Sequence, residues 1–245
     1  MADSLATQHT LFIDVGNSLI KTCEYSEGKL TVVNHNYWDS QKPAELAARI
    51  ESAEQILICS VSTRNYAVLE KYLEGKSYQI INAELLGDYI DYDTPETLGM
   101  DRVTAALGAW HQLGTGCVVV DAGTATTIDM ISSEGVFSGG VIMPGLNIME
   151  KGLAGNTDLP SVDRDIPGQW PPKSTHAALK WGIYGSYLNA VRSHIQKFGD
   201  ETETDLSVVT TGGDGRWLAS HLAMKVDNID DLIFRGMAYI SENVT

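Results

Sequence analysis

Asp14 and Gly16 close the apolar run in LFIDVGNSLIK, and Asp121 and Gly123 close another in CVVVDAGTATTID, 107 residues later. An Asp-x-Gly at a strand end, followed by small hydroxyl or amide residues, gathers backbone N–H groups and a carboxylate into one concavity, where a phosphate fits. Glycine lets the backbone approach the ligand, and Asn17, Ser18, Thr124 and Thr126 carry side-chain donors for phosphate oxygens. The carboxylate alone repels phosphate, so it makes sense with a hydrated Mg2+ between them. One such turn is ordinary hairpin chemistry. Two in register, with Ser-Glu-Gly triplets at Ser26 and Ser133 sharing the same offset, point to a duplicated unit that clamps a polyphosphate from both sides. A third glycine turn, TTGGDG at 210–215, offers a seat for a nucleoside, whereas Gly-x4-Gly-Lys-Ser/Thr and Gly-x-Gly-x-x-Gly are absent.

The elements that must hold these turns are legible in the apolar pattern. LFIDV, IKTCEY and KLTVVNHNYW read as a meander of strands with turns at Gly16-Asn17 and Ser26-Glu27-Gly28; helix over 42–51, the buried strand ILICSV, helix over 64–73 and the strand YQII follow. DRVTAALGAWHQLG has helical spacing and stops at Gly114. The second copy repeats the three-strand opening, leaves through GGVIMPG into a short helix and crosses a proline-rich loop at 159–172. A long helix is expected over 174–198, where Gly182 and Gly185 need close packing, within the chain or in a dimer, to offset about 1 kcal/mol each. A strand enters TTGGDG, and a last helix covers 230–243. The expected fold class is α/β, in two related halves, 1–114 and 115–245.

With 245 residues and 43% apolar content the chain can bury a sizeable core. A net charge of -15 lacks the basic stripes that nucleic acid or anionic membranes require, so neither is expected as a partner. Cys23, Cys59 and Cys117 lie far apart in apolar runs and read as buried thiols of a reducing compartment. The opening MADSLATQHT has neither a basic nor an apolar leader region, so a cytoplasmic protein is expected. His111, His176, His194 and His221 form no ligand-spaced cluster.

Taken together these motifs resemble the sugar kinase, actin and heat-shock chaperone ATPase superfamily and, within it, the type III pantothenate kinases; the resemblance implies two tandem ribonuclease-H-like domains, each a mixed β-sheet flanked by helices, with an interdomain ATP cleft. DVGNSLIK is similar to that family's first phosphate turn, LGMDR to its Gly-x-Asp-Arg substrate and catalytic motif, and DAGTATTID to its second phosphate turn; GGVIMPG and TGGDG match further segments. The resemblance implies transfer of the ATP γ-phosphoryl group to pantothenate, giving 4'-phosphopantothenate in the first step of coenzyme A synthesis, with a monovalent cation, K+ or NH4+, and a homodimer. It implies ATP contacts at Asp14, Val15, Gly16, Asn17, Ser18, Leu19, Ile20, Lys21 and Thr124, with Asp14 orienting hydrated Mg2+ and Asp121 supplying oxygen to the monovalent cation. Asp101 becomes the general base, and Tyr92, Gly99, Met100, Asp101, Arg102 and Thr175 line the acceptor.

Each assignment has a plainer counterpart. Lys21 reads more simply as a solvated strand tip, Asp101 as a first-turn acid favoured by the helix dipole, Arg102 as half of a surface ion pair and Tyr92 as a cover for core surface. The family's asparagine before Thr175 is Ser174 here, which suits a bare helix cap. The phosphate turns are silent about the acceptor. A kinase of the same superfamily for another small hydroxylated acid or sugar, or a non-enzymatic nucleotide-dependent regulator, is the alternative they leave.

Overall fold

The computed structural model describes residues 9–26, 28–35, 43–202 and 206–244. Residues 36–38 of the expected third strand, Glu27 of its preceding turn and Lys42 of the expected first helix lie outside the described residues. The chain opens with β1 (Thr10–Val15), β2 (Ile20–Ser26), β3 (Lys29–His35), α1 (Pro43–Ser52), β4 (Gln55–Ser60), α2 (Thr63–Leu69), β5 (Gln79–Ile80) and α3 (Met100–Leu113). Then come β6 (Cys117–Ala122), β7 (Ala125–Ile131), β8 (Phe137–Pro144), α4 (Leu146–Asn156), α5 (Thr175–Lys180) and α6 (Ser186–Thr202), the last two joined by a π-helical turn at Trp181–Gly185. β9 (Ser207–Thr211), α7 (Gly215–His221), β10 (Asp227–Asn228) and α8 (Leu232–Asn243) complete it.

Two mixed sheets result, ordered β3-β2-β1-β4-β5 and β10-β9-β6-β7-β8. In each, the first strand pairs antiparallel with the second and parallel with the fourth, the α/β doubling expected from the repeat. The repeat is not in one register throughout, however. Val15 pairs with Ile20, leaving residues 16–19 in the first turn, whereas Ala122 pairs with Thr126, leaving only residues 123–125. Lys21 faces Asp14 and Thr127 faces Asp121, an offset of 106 between Lys21 and Thr127 where the turn tips keep 107. A strand side chain changes face with each residue, so this one-place shift decides which of the second turn's hydroxyls face inward.

By packing, the chain falls into two compact units. The first runs to Thr115 and also holds Ser132–Ser138 and the chain from Asp231 onward; the second holds Gly116–Ile131 and Gly139–Asp230. Beside the expected division at 114/115, the C-terminal helix and the β7–β8 hairpin tip thus group with the first unit. The reasons are local: α8 packs on α3, and Phe137 forms a parallel bridge with Ile90 while its carbonyl accepts from Asp91 N–H at 2.9 Å.

In the first unit, Leu11, Ile13 and Val15 of β1 and Ile56 and Ile58 of β4 turn to one core with Leu46, Ile50 and Leu69 of α1 and α2. Alternation sends Phe12 and Asp14, with Leu57 and Cys59 beside them, to the opposite face. Cys59 Sγ lies 3.9 Å from Thr104 Oγ1 on that face, so Asp14 belongs on the α3 side of the sheet. α3 ends where expected, with Gly114 left-handed at φ 67 and its N–H donating to Trp110 O at 2.8 Å. The second core gathers Val118, Val120 and Ile128 with Tyr184, Tyr187, Leu188 and Val191. The expected helix over 64–73 is α only to Leu69 and tightens into a 3-10 turn at Glu70–Tyr72, and α7 appears where the sequence showed only a glycine turn.

Candidate active site

Asp14 is buried at the end of β1, and its carboxylate lies 3.8 Å from the Lys21 ammonium directly across the hairpin. Lys21 is therefore more than a solvated tip. The turn between them, 16–19, is closed by Gly16 N–H donating to Leu19 O at 3.0 Å. That bond occupies one of the backbone donors expected to meet phosphate and leaves Asn17 and Ser18 exposed at the tip, with Val15 and Ile20 buried beneath them. Asn65 of α2, which the sequence did not mark, is buried, and its amide nitrogen donates to Gly16 O at 2.8 Å and Asn17 O at 3.1 Å. No signal in the sequence separates this asparagine from an ordinary first-turn polar residue after the Ser62 cap.

Asp101 sits in the first turn of α3, on the face of the sheet that carries Asp14. Both carboxylates stand close enough to Cys59 to raise its thiol, whose burial is the larger cause. Asp101 is itself raised above the ordinary aspartate value by desolvation, against the Arg102 N–H that donates to its Oδ1 at 2.8 Å and the Arg102 charge. Gly99 is what lets the carboxylate fold back: a Cβ there would sit 2.6 Å from Asp101 Oδ1. Gly99 has φ −65, so alanine suits the backbone and only the carboxylate has to move. Gly99→Ala is expected to leave Tm within about 3 °C, since a ΔΔG of about 1 kcal/mol shifts a chain of this size by that much. It should lower kcat about 10²-fold, the cost of misplacing a reacting group by about 1 Å. Steady-state kinetics beside a thermal melt check both; a parallel loss of Tm and kcat would count against the positional account.

Arg102 is buried, so the surface ion pair is excluded; its guanidinium carbon lies 5.4 Å from the Phe137 ring centroid. Tyr92 approaches the same ring at 6.2 Å, and Met100 is buried. Phe137 was missed because it belongs by sequence to the second copy and reaches Tyr92 and Arg102 only through the hairpin tip that groups with the first unit. Asp14, Lys21, Tyr92, Gly99, Met100, Asp101 and Arg102 thus share one unit, while Asp121, Thr124 and Thr175 share the other.

In the second unit Asp121, next to last in β6, stands opposite Thr127 and Thr211. Its Oδ1 lies against Gly212, where φ is +85 and a Cβ would overlap that oxygen and come within 2.7 Å of Ala122 O. Backbone and space both demand glycine there. Thr124 is exposed on the turn, and its carbonyl accepts from Gly145 N–H at 3.2 Å. Thr126 is a correction. The shortened turn faces it inward, where its hydroxyl lies 2.8 Å from Tyr187 OH, so it offers no donor to phosphate. Thr175 is exposed as the first residue of α5, and Ser174 is the cap, accepting from Ala177 N–H at 3.3 Å. Gly185 packs against the Trp181 ring of its own chain, while Gly182 faces open space. The proline-rich loop is tied down by Arg164, which bridges Glu150 at 2.8 Å and the Asp214 carboxylate in the TGGDG turn. A cavity of about 190 Å³ beside this loop, lined by Asn147, Glu150, Lys151, Leu159, Ser161 and Ile183 among others, holds none of the predicted site residues.

Among the described residues there is no cluster of three or more His, Cys, Asp or Glu able to hold a metal. The donor set fits a hydrated Mg2+ carried in with phosphates, which asks for one or two carboxylates, better than a dehydrated protein cage. Asp121 Oδ1 and Ala122 O both approach Gly212, a carboxylate and a main-chain oxygen of the kind a hard cation takes.

Comparison with known proteins gives one family. The model of type III pantothenate kinase matches residues 10–197. A type III pantothenate kinase of Methylacidiphilum infernorum (isolate V4) is 33% identical over 238 residues, covering 95% of this chain and 88% of that relative. A solved structure from Campylobacter jejuni, named as a Baf family transcriptional activator, superposes with a TM-score of 0.62 at 25% identity over 95% of this chain and 98% of that one. A protein from Sinorhizobium meliloti named as a 2-dehydro-3-deoxygalactonokinase gives 0.59 at 13% identity over 96% and 98%, which shows a shared fold.

Proposed function

The chain belongs to the type III pantothenate kinase family, and on that premise we propose that it transfers the γ-phosphoryl group of ATP to the primary hydroxyl of pantothenate, the first step toward coenzyme A. The observation that carries the reading is Asp101, a partly buried carboxylate raised above its ordinary value and folded over the start of α3 beside a buried arginine. The acceptor oxygen forms its bond to the γ-phosphorus as the bond to the β,γ-bridging oxygen breaks; the hydroxyl proton goes to Asp101 and ADP departs. Arg102, with Tyr92, Gly99 and Met100, holds the acceptor, and its planar donor fork suits a carboxylate. Thr175 is proposed as a further acceptor contact.

The first turn, from Asp14 to Lys21, and Thr124 of the second receive the phosphates. Asp14 would hold the water shell of a Mg2+ ion bound with the nucleotide, which would supply charge neutralisation on the phosphates. Asp121 would hold K+ or NH4+. A homodimer and a cytoplasmic setting belong to the same proposal; no helix among the described residues is long and apolar enough to cross a membrane. A DNA-binding regulator is disfavoured by the net charge of -15.

Pure protein with ATP, Mg2+ and pantothenate is expected to form phosphopantothenate, faster in K+ or NH4+ than in Na+ buffer, as read by coupled ADP release and mass spectrometry of the product. No product under any cation would sink the proposal.

A further inference from the structure

We infer that Asn65 is a positioning residue for ATP, setting the direction of the N–H groups that the first phosphate turn presents; the inference rests on the kinase reading above. Both partners of its amide are carbonyls, which only accept, so the nitrogen must face them. In a trans peptide unit the C=O and the following N–H point opposite ways. Drawing Gly16 O and Asn17 O onto one buried amide therefore turns the N–H groups of Asn17 and Ser18 to the other side of the turn. Two successive N–H groups aimed one way form an anion-binding concavity. The turn's own closing bond, Gly16 N–H to Leu19 O at 3.0 Å, fixes the ends of the loop, and the Asn65 amide fixes the peptide units that follow Gly16 and Asn17. Asn65 is in turn held from below. It stands three residues into the Ser62-capped start of α2, and its own N–H meets Ser62 Oγ at 3.4 Å. Because β4 runs parallel to β1, α2 begins beside the end of β1, so the anchor and the turn come from adjacent strand ends.

The test compares Asn65→Ala and Asn65→Asp with the unaltered chain, using ATP titrated calorimetrically without acceptor, followed by KM for each substrate. Loss of two hydrogen bonds of about 1 kcal/mol each should weaken ATP binding about tenfold or more, with the aspartate variant the weaker because its carboxylate faces two carbonyls. KM for ATP should rise in step while KM for pantothenate stays put, a split that general loosening of the unit would not produce. Ser62→Ala, which removes the cap below but neither anchoring bond, should keep ATP affinity within about twofold, since a cap acts on helix stability and not on the ligand. Ordinary ATP affinity in Asn65→Ala, equal weakening toward both substrates, or loss of the folded state in both Asn65 variants would overturn the assignment. Binding of ATP without transfer to pantothenate by the unaltered chain would sink the kinase reading and leave the Asn65 comparison standing; no ATP binding at all would overturn both.

Discussion

Asp101→Asn is expected to lower kcat by about 10²–10⁴-fold while KM for ATP stays nearly constant, because only the proton acceptor is removed. That factor is about 3–5 kcal/mol of barrier, modest for a catalytic group, since phosphoryl transfer depends mainly on positioning and charge stabilisation that the variant keeps. Asparagine retains an oxygen to accept the Arg102 N–H, so the start of α3 should keep its shape. The pH dependence separates the base from a merely structural acid. Desolvation raises Asp101 against the opposing Arg102 N–H and charge, so the acid limb of kcat should lie above the ordinary aspartate value. Activity should fall as pH drops through that raised value, and the limb should vanish from the residual activity of the variant. Stability has the opposite sign. A carboxylate whose folded pKa exceeds its unfolded one favours the fold most fully below the unfolded pKa and loses that contribution as pH rises through the folded pKa. Once ionised, Asp101 is a burden on the fold, so above the raised value the variant should melt at the same temperature or higher while losing activity. Unchanged kcat, or a Tm that falls with it, would remove Asp101 from the role of base.

The parts of this site that follow local rules were readable from the sequence, and the parts that depend on two distant segments were not. An apolar run ending in Asp-x-Gly announces β1 and β6 with their turns, and Gly114 announces the end of α3, because strand alternation and the left-handed cap act over a few neighbours. Ser174 is likewise a cap in the structure, its chemistry complete within residues 174–177. The repeat offset held at the turn tips and slipped by one place along β7, since a residue taken from the first turn of the second copy is returned in its hairpin tip and cancels in the count. Asn65 and Phe137 escaped for another reason. Each is unremarkable among its neighbours, and its role lies wholly in what a different stretch of chain presents to it. The return of α8 to α3 is the largest such case, as Gly108 and Gly236 separately read only as weak points in helices.

Those two glycines give the second prediction: Gly236→Val should lower stability by at least about 3 kcal/mol, near the upper end of single-site effects. A Cβ on Gly236 would overlap Thr104 O, and one on Gly108 would sit 2.5 Å from Leu232 O and 2.7 Å from Gly236 N. The nearest obstacles are backbone, which cannot turn aside as a side chain would, so α3 and α8 must separate. Overpacking of this kind costs about 1–3 kcal/mol, and separation adds lost burial of Phe234, Met237 and Ile240 on α8 and of Val103 and Leu107 on α3. For a chain of this length 3 kcal/mol lowers Tm by about 6–12 °C. Activity should fall as well, and for a reason distinct from unfolding. Thr104, whose carbonyl takes the clash, lies one helical turn beyond Asp101, so a shift of α3 carries Asp101 and Arg102 with it. Gly182→Ala supplies the contrast, because a Cβ there meets nothing within 4 Å and helix propensity favours alanine by up to about 1 kcal/mol. Thermal melts and kcat measured well below Tm should therefore show Gly182→Ala at or above the parent on both counts and Gly236→Val below it on both. Equal melting of Gly236→Val and parent would mean that α8 does not brace α3, and the position of Asp101 would then have to be set from the sheet side alone.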